Sequence, residues 1–567
     1  MKAKSPLRAP EERASFRIKV ERYMLGAKRI LGWPIIVLLW LMLIVVTLAT
    51  RPLLPVDETR YLAVAWDMWR EGNYLVPHLN GEPYSHKPPL LFWLMTMGWH
   101  LFGVNEWWPR IVAPLFGLIA LLLSARLGRM LWPAESRLPR QASILLFGAL
   151  FWTIFSTLTM FDMLLAVFTL IALIGTVDAA LKGGRRGFVL MGLAMGFGAL
   201  TKGPAILLHV LPVALAAPWW ASNIPSADVG PKSRWYFGVI FSICVTLAIS
   251  LSWAIPAGLA GGEEYRNAIF WGQSADRMLS SFAHARPLWW YLTALPIVTL
   301  PWVIWPKLWR ASKAATNVSG DGGLQFCLVW FAVAFFAFSL ISGKQLHYLL
   351  PEFPAIALIA ARVLLLYEKG DIQRAIDFLV PGGLAIIAGI LMIFAAWLPL
   401  SSGLMALIPE IRPEAGILIV MAGAVVISIR DGDIWSESVR LAFISVFVVL
   451  ALHFAAAPYL DRRYDLTRMG AFLHKMQLNG KKVAYFGKYH GQFHFLGRLR
   501  DSFAVIGLRS GQEERFLRRY SDGVIVAKYR DVPRGADPLF TSKYRRFTYV
   551  VWEAEALRTN PNIGNRR

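Results

Sequence analysis

Thirteen runs of apolar residues, each near the ~20 residues that a helix needs to cross a bilayer, occupy most of this chain. They lie at 33–50, 109–132, 141–158, 163–181, 186–200, 204–220, 236–260, 287–306, 324–342, 349–367, 378–398, 403–428 and 437–457. Inside hydrocarbon every backbone N–H and C=O must find its partner within the protein, so such runs fold as helices. The chain is 56% hydrophobic, above the ~45–50% usual for soluble domains. The fold class that follows is a polytopic α-helical membrane protein with about 13 transmembrane helices. Nine Lys/Arg precede the first run, Trp33 to Thr50, and no small-x-small cleavage pattern follows it. It reads as an uncleaved first helix after a cytoplasmic segment, 1–32.

Loop charge then sets the topology. A fourteenth run, Pro88 to Phe102, is short and contains His100, and it is expected to lie along the interface. Excluding it places Arg126, Arg129, Arg137, Arg140, Lys182, Arg185, Arg186, Lys232, Arg234, Lys307, Arg310, Lys313, Lys369 and Arg374 all in short loops on one side. That is the pattern of cytoplasmic loops. The loops 51–108 and 261–286 and the segment 461–567 are then predicted on the opposite face. The membrane domain is expected over 33–460, followed by a small α/β domain over 461–567. In that segment amphipathic 467–477 precedes strand-like 482–486, 502–506, 523–528 and 547–552, with a charged helix at 512–520.

The formal charge is +23, and 461–567 holds 22 Lys/Arg against 10 Asp/Glu. Tethered to a membrane domain, that surplus points to anionic lipid or lipopolysaccharide rather than nucleic acid. Cys244 and Cys327 both fall inside predicted spans and offer no disulfide framework. The chain has neither a Walker loop nor a dinucleotide fingerprint, which an activated donor that is itself a lipid would not need.

Chemistry concentrates between Asp57 and Pro89, DETRYLAVAWDMWREGNYLVPHLNGEPYSHKPP. Ionisable groups at the mouth of a membrane domain are costly and usually functional. Asp57 and Glu58 open an amphipathic helix, where they serve either as dipole-matched first-turn acids or as a general base toward an acceptor hydroxyl. Asp162 is a further acid in an apolar setting, where an unpartnered carboxylate is expensive. Lys87 in SHKPP and Lys202 in TKGP stand beside helix starts as candidate phosphate-binding cations, with interfacial snorkelling as the competing reading. Arg277, in a 261–286 loop long enough to form a lid, and Lys344 and Tyr348 add two cations and a phenol to the same face. His86 and His284 are the candidate pair for a divalent metal such as zinc, without the short spacings that identify zinc sites.

The strings PVDETRY, LVPHLNGEPYSHKPPL and GVNEWWPR resemble the first external loop of the ArnT-like branch of the protein mannosyltransferase superfamily. FDM at Asp162, TKGP at Lys202 and KQLHYLLP at Lys344 to Pro351 continue the likeness. The resemblance implies a GT-C-type fold and transfer of a sugar from a polyprenyl-phosphate donor to lipid A or a related envelope glycolipid, at the periplasmic face of the bacterial inner membrane. It implies Asp57 as the acceptor-activating base and Asp162 as the second functional acid. Arg60, Lys87, Arg277 and Tyr348 would surround the donor phosphate. Where the aminoarabinose transferases typically read F-E-K-P-P, this chain reads Ser85-His86-Lys87-Pro88-Pro89. That departure falls at a position that is a metal-ligand candidate in the group. The mechanism expected is an inverting displacement at the anomeric carbon, with cations stabilising the leaving lipid phosphate. A protein O-glycosyltransferase is the nearer rival. A transporter of lipid-linked saccharides is the more distant one, since its ionisable groups would lie near the midplane in repeated halves.

Overall fold

The computed structural model describes residues 33–225, 227–272, 286–315, 319–367, 375–399, 401, 405, 408–429, 433–508, 511–534, 537–560 and 563. Among them, eight helices are long and apolar enough to cross a membrane. These include α1 (Trp33–Thr50), Trp107–Leu131, Asp162–Lys182, Lys232–Ala260 and Gly322–Leu340. Two further apolar runs each form a helix pair bent at a break: Leu138–Gly148 with Leu150–Ser156 at 74°, and Ala205–Leu215 with Ala217–Asn223 at 40°. Counted as one span each, they bring the total to ten.

The other three expected spans are helical but different in form. Run 186–200 is the helix Arg185–Lys202, with two arginines in its first turn. Run 403–428 contains the shorter apolar helix Pro413–Ser428. Run 287–306 is interrupted: the helix Trp290–Val298 ends two residues past Pro296, and a 3-10 turn, Trp302–Ile304, follows. Pro301 has no N–H to carry that helix onward.

Burial separates the centre of the bundle from its rim. Asp162–Lys182 has 78% of its apolar window buried, while Lys232–Ala260 has 22% and exposes Phe237, Ile240 and Leu259. The first is a central helix and the second a lipid-facing one. Asp162–Lys182 packs against Arg185–Lys202 through glycine: a Cβ on Gly187 would stand 2.4 Å from the Ala179 nitrogen, and one on Gly175 2.7 Å from the Gly187 oxygen. Without a hydrophobic drive between helices in lipid, such close backbone approach supplies the packing energy.

Above α1 the chain forms α2 (Asp57–Glu71), a small ladder of β1 (His78–Leu79) and β2 (Glu82–Pro83), and α3 (Leu90–Phe102). At 13 residues and ~1.5 Å per residue, α3 reaches about 20 Å. That is short of the ~30 Å hydrocarbon core and agrees with the interfacial reading. It leads into α4 (Trp107–Leu131). α2 turns Tyr61, Leu62, Val64, Ala65 and Met68 onto an apolar cluster with Phe92, Met95, Trp99, Phe161 and Phe495.

The C-terminal part is a five-stranded sheet in the order β4-β3-β5-β7-β6, from β3 (Val483–Phe486), β4 (Ala504–Ile506), β5 (Val524–Tyr529), β6 (Phe540–Tyr544) and β7 (Phe547–Glu553). β3 runs parallel to β4 and β5, whereas β7 is antiparallel to β5 and β6. Helix Thr467–Leu478 covers one face through Met469 and Leu473, and Gln512–Arg519 covers the other through Phe516 and Leu517. The four expected strands are present. β6 is the strand the sequence reading misses, an edge strand that buries only alternate residues.

This sheet unit sits directly on the first loop. Asn80 exchanges two hydrogen bonds with Phe503, donating from Nδ2 to its carbonyl at 3.0 Å and accepting from its N–H at 2.7 Å. Trp66 Nε1 donates to the Leu499 carbonyl at 2.8 Å, and Trp99 stacks on Phe495 at 5.3 Å with 4° between planes. Arg545, in the β6–β7 turn, donates to the Pro55 carbonyl at 3.1 Å, two residues before Asp57.

Candidate active site

The start of α2 sends its two acids to different places. Asp57 is exposed and pairs with Arg60 one turn on. Glu58 is buried, and both of its oxygens are engaged: Oε2 accepts from Arg51 Nη1 and from the Leu54 N–H at 2.8 Å, and Oε1 from the Thr159 N–H at 2.8 Å. Burial alone would raise its carboxyl pKa, but Arg51 and these N–H donors outweigh it and hold the group below the usual carboxylate range. Arg51 Nη2 also donates to the Thr157 carbonyl at 2.9 Å. Glu58 thus ties the exit of α1 to the 157–159 turn.

Asp162 opens its helix and is buried, with Lys202 Nζ at 2.5 Å from Oδ1. The Lys202 ammonium also lies over the Tyr348 ring, 4.5 Å from its centroid. His347 and Lys87 are within electrostatic reach of the same carboxylate, and Lys87 stands over the Phe161 ring at 5.5 Å. His347 is in reach of Asp57 as well as Asp162, and so is Tyr61. One cluster therefore holds Asp57, Arg60, Lys87, Asp162, Lys202 and Tyr348. Phe161, packed edge-on to Tyr61 at 5.0 Å and to Phe92 at 5.6 Å, forms an aromatic partition between its members.

Three groups without a prior assignment join it: His347, Tyr61 and Tyr84. His347 is one residue before Tyr348 in the motif that carries the family likeness. Tyr61 and Tyr84 flank it in the first loop, and both interact with Arg60. Burial pushes the Tyr61 phenol well above its ordinary pKa, so it is a neutral hydrogen-bonding group.

Lys344 is not part of this cluster. It is buried and donates to the Ile341 carbonyl at 2.6 Å and the Arg286 carbonyl at 3.0 Å, closing the neck of the 261–286 loop. Two carbonyls thus share the ammonium that the sequence offers as a phosphate-binding cation. Arg277 and His284 lie outside the described residues. His86 is exposed, with its ring 5.3 Å from that of Tyr84. Among the described residues no three His, Cys, Asp or Glu side chains gather as a metal site; His284, the second member of the expected pair, is outside them.

The family model for dolichyl-phosphate-mannose-protein mannosyltransferase matches residues 86–252. The undecaprenyl phosphate-alpha-4-amino-4-deoxy-L-arabinose arabinosyl transferase of Edwardsiella ictaluri is 30% identical over 383 residues, which is 65% of this chain and 66% of that protein. A transferase of the same description from Pseudomonas fluorescens is 29% identical over 345 residues, 58% of this chain and 59% of its own length. The sequence match thus spans less than two thirds of these relatives. The crystal structure of ArnT from Cupriavidus metallidurans bound to undecaprenyl phosphate superposes with a TM-score of 0.69 at 18% identity, covering 92% of this chain and 98% of that one.

A bundle of membrane helices capped by a small sheet domain is the fold that this chain shares with the Cupriavidus structure. In sequence the chain is similar to the undecaprenyl phosphate-aminoarabinose transferases, and in fold to ArnT.

Proposed function

We propose that the protein is an integral-membrane glycosyltransferase that moves a sugar from a polyprenyl-phosphate donor to lipid A or a related envelope glycolipid. The reaction takes place at the periplasmic face of the bacterial inner membrane. The observation that carries this reading is the cluster at the bundle mouth, where Lys87, Lys202 and Arg60 surround two carboxylates in different environments. Attack of an acceptor oxygen on the anomeric carbon breaks the bond to the donor phosphate, which leaves with one more negative charge than it had as a diester. Cations placed where that charge develops lower the barrier. Lys87 and Arg60 take this role, with Tyr61 and Tyr84 as neutral donors beside them.

Asp57, exposed at the start of α2, takes the proton of an acceptor hydroxyl. A phosphate acceptor is already ionised and needs only positioning. Asp162 orients Lys202 and, through it, Tyr348. Displacement from the face opposite the leaving phosphate inverts the anomeric centre. The prenyl chain, being hydrocarbon, belongs against the apolar faces of the bundle. The curated relatives are named for an undecaprenyl phosphate-linked aminoarabinose donor, and the Cupriavidus structure holds undecaprenyl phosphate; both support a lipid phosphate donor here.

Mass spectrometry of lipid A, core oligosaccharide and envelope proteins tests the reading, in cells lacking the gene and complemented with wild type or Asp57→Asn. A sugar-sized mass on a glycolipid that returns only with wild type is the expected result. The matching family model is described for a protein mannosyltransferase, and altered glycopeptides with unchanged glycolipids would transfer the assignment to a protein acceptor.

A further inference from the structure

Behind the acid-and-cation cluster, inside the membrane bundle, lies a second pair of ionisable groups that the reaction described above does not use. His209, the fifth residue of the helix Ala205–Leu215, hydrogen-bonds through Nδ1 to Oε1 of Glu352, at the end of the 3-10 helix Leu346–Glu352. Both side chains are 0% exposed. Among the described residues neither His209 Nε2 nor Glu352 Oε2 makes a hydrogen bond, so each side chain has the other as its polar partner. Ionisable groups inside a bundle are costly and persist where they serve function. This pair joins the two segments that carry the cluster. Lys202 ends the helix that precedes Ala205–Leu215, and Tyr348 lies within the 3-10 helix.

The 3-10 helix needs such support. Its seven residues exceed the ~3–4 usual for this form. Pro351 also lacks the N–H that would close the next i→i+3 bond onto the Tyr348 carbonyl. The outer end is tied at Gln345, whose carbonyl accepts from the Tyr291 hydroxyl at 2.9 Å and from the Tyr348 N–H at 3.1 Å. Glu352 ties the inner end. A row of rings then runs from the pair to the cluster: His209 against Phe338 at 5.2 Å, and Phe338 against Tyr348 at 6.0 Å. The Tyr348 ring in turn lies 4.5 Å from the Lys202 ammonium, which is 2.5 Å from Asp162. Phe338 is buried, so Tyr348 is held from behind as well as in front.

We propose that His209 and Glu352 are positioning residues for glycosyl transfer: their buried pair fixes the inner end of the 3-10 helix and thereby holds the Tyr348 ring against Lys202, where the donor phosphate binds. This rests on the transfer reading above and adds to it two residues that touch neither substrate. Removing one partner strands the other inside the bundle without a hydrogen bond, and the segment loses one of its two ties. Lys202 stays paired with Asp162. What is lost is the register of Tyr348 with it, so the effect falls on the lipid phosphate.

Binding of undecaprenyl phosphate to the full-length protein in lipid nanodiscs tests this. His209→Ala should raise the Kd about tenfold, the scale of one buried hydrogen bond. His209→Asn, which keeps an N–H where Nδ1 stands, should stay within about threefold of wild type. Lost packing volume alone would give no such rescue. Added to Tyr348→Ala, His209→Ala should cost nothing further, because the pair acts through that ring. An unchanged Kd in His209→Ala, even with a lowered melting temperature, overturns the inference and leaves glycosyl transfer standing; so do losses that add in the double variant. Should His209→Ala fail to fold, Phe338→Leu takes its place, since it keeps an apolar side chain and removes the ring between His209 and Tyr348. A raised Kd is expected there too, and an unchanged one overturns the inference. A wild type that binds no undecaprenyl phosphate overturns the lipid-phosphate reading and this one with it.

Discussion

Consecutive helical residues point about 100° apart, and at the start of α2 that angle sends Asp57 outward and Glu58 into the protein. Asp57→Asn removes a base whose one ion pair, with Arg60, lies at the surface and is worth little to stability, so kcat should fall by about 10²–10⁴, with the melting temperature of the detergent-solubilised protein nearly unchanged. Glu58→Gln does the opposite. It leaves Arg51 buried without its counter-charge, a loss on the order of 3–5 kcal/mol. Reduced yield and a lowered melting temperature should accompany whatever activity remains. A normal melting temperature for Glu58→Gln with abolished turnover would return it to the catalytic set. The sequence marks the DE pair as special but gives no phase for it, since nothing in the preceding loop reveals which of the two will face Arg51.

A third acid of α2 gives the first loop a pH dependence. Asp67 is buried, and although its Oδ2 accepts from the Asn80 N–H at 3.0 Å, burial pushes its carboxyl up to about 7. In the unfolded chain it titrates near its ordinary value of 3.8. Between these values the folded protein holds a proton that the unfolded chain releases, so the stability from the neutral carboxyl is fully present below about 4 and lost as pH rises through about 7. Melting temperature should therefore decline across that window in wild type and decline less in Asp67→Asn. Parallel curves would show that another group titrates.

At the scale of the element, hydropathy finds apolar stretches and says little about their continuity. All thirteen runs are helical in some form, but two are bent pairs, one is short and one is broken after Pro296. Proline and packing set those interruptions, and neither appears in a sum of hydropathy. Most sheet elements were legible because β3, β5 and β7 are runs of buried Val, Ile, Tyr and Phe. The docking of that sheet was not, because it depends on single contacts between residues 400 apart in the chain. Gly491 is the clearest of them: a Cβ there would stand 2.5 Å from Leu79 Cδ1 and 2.9 Å from Ala63 Cβ. Gly491→Val should lift the loop after β3 from α2, speeding limited proteolysis of the C-terminal region and lowering turnover with the membrane helices intact. Unchanged protease resistance would show that the interface is softer than its contacts suggest.

At the scale of the whole molecule, the basic surplus of the last fifth of the chain was visible in composition as a surface attracted to anionic lipid, and the fold seats one of its arginines, Arg545, on the Pro55 carbonyl two residues before Asp57. That contact could not be read from the sequence, because it joins the two ends of the chain. If Lys87 belongs to the donor side of the reaction, Lys87→Ala should raise the donor KM by about tenfold and the acceptor KM little. Titrating each substrate against the variant checks this directly. A rise confined to the acceptor KM would move Lys87 to the other side of the anomeric carbon and leave Arg60 as the cation beside the leaving phosphate.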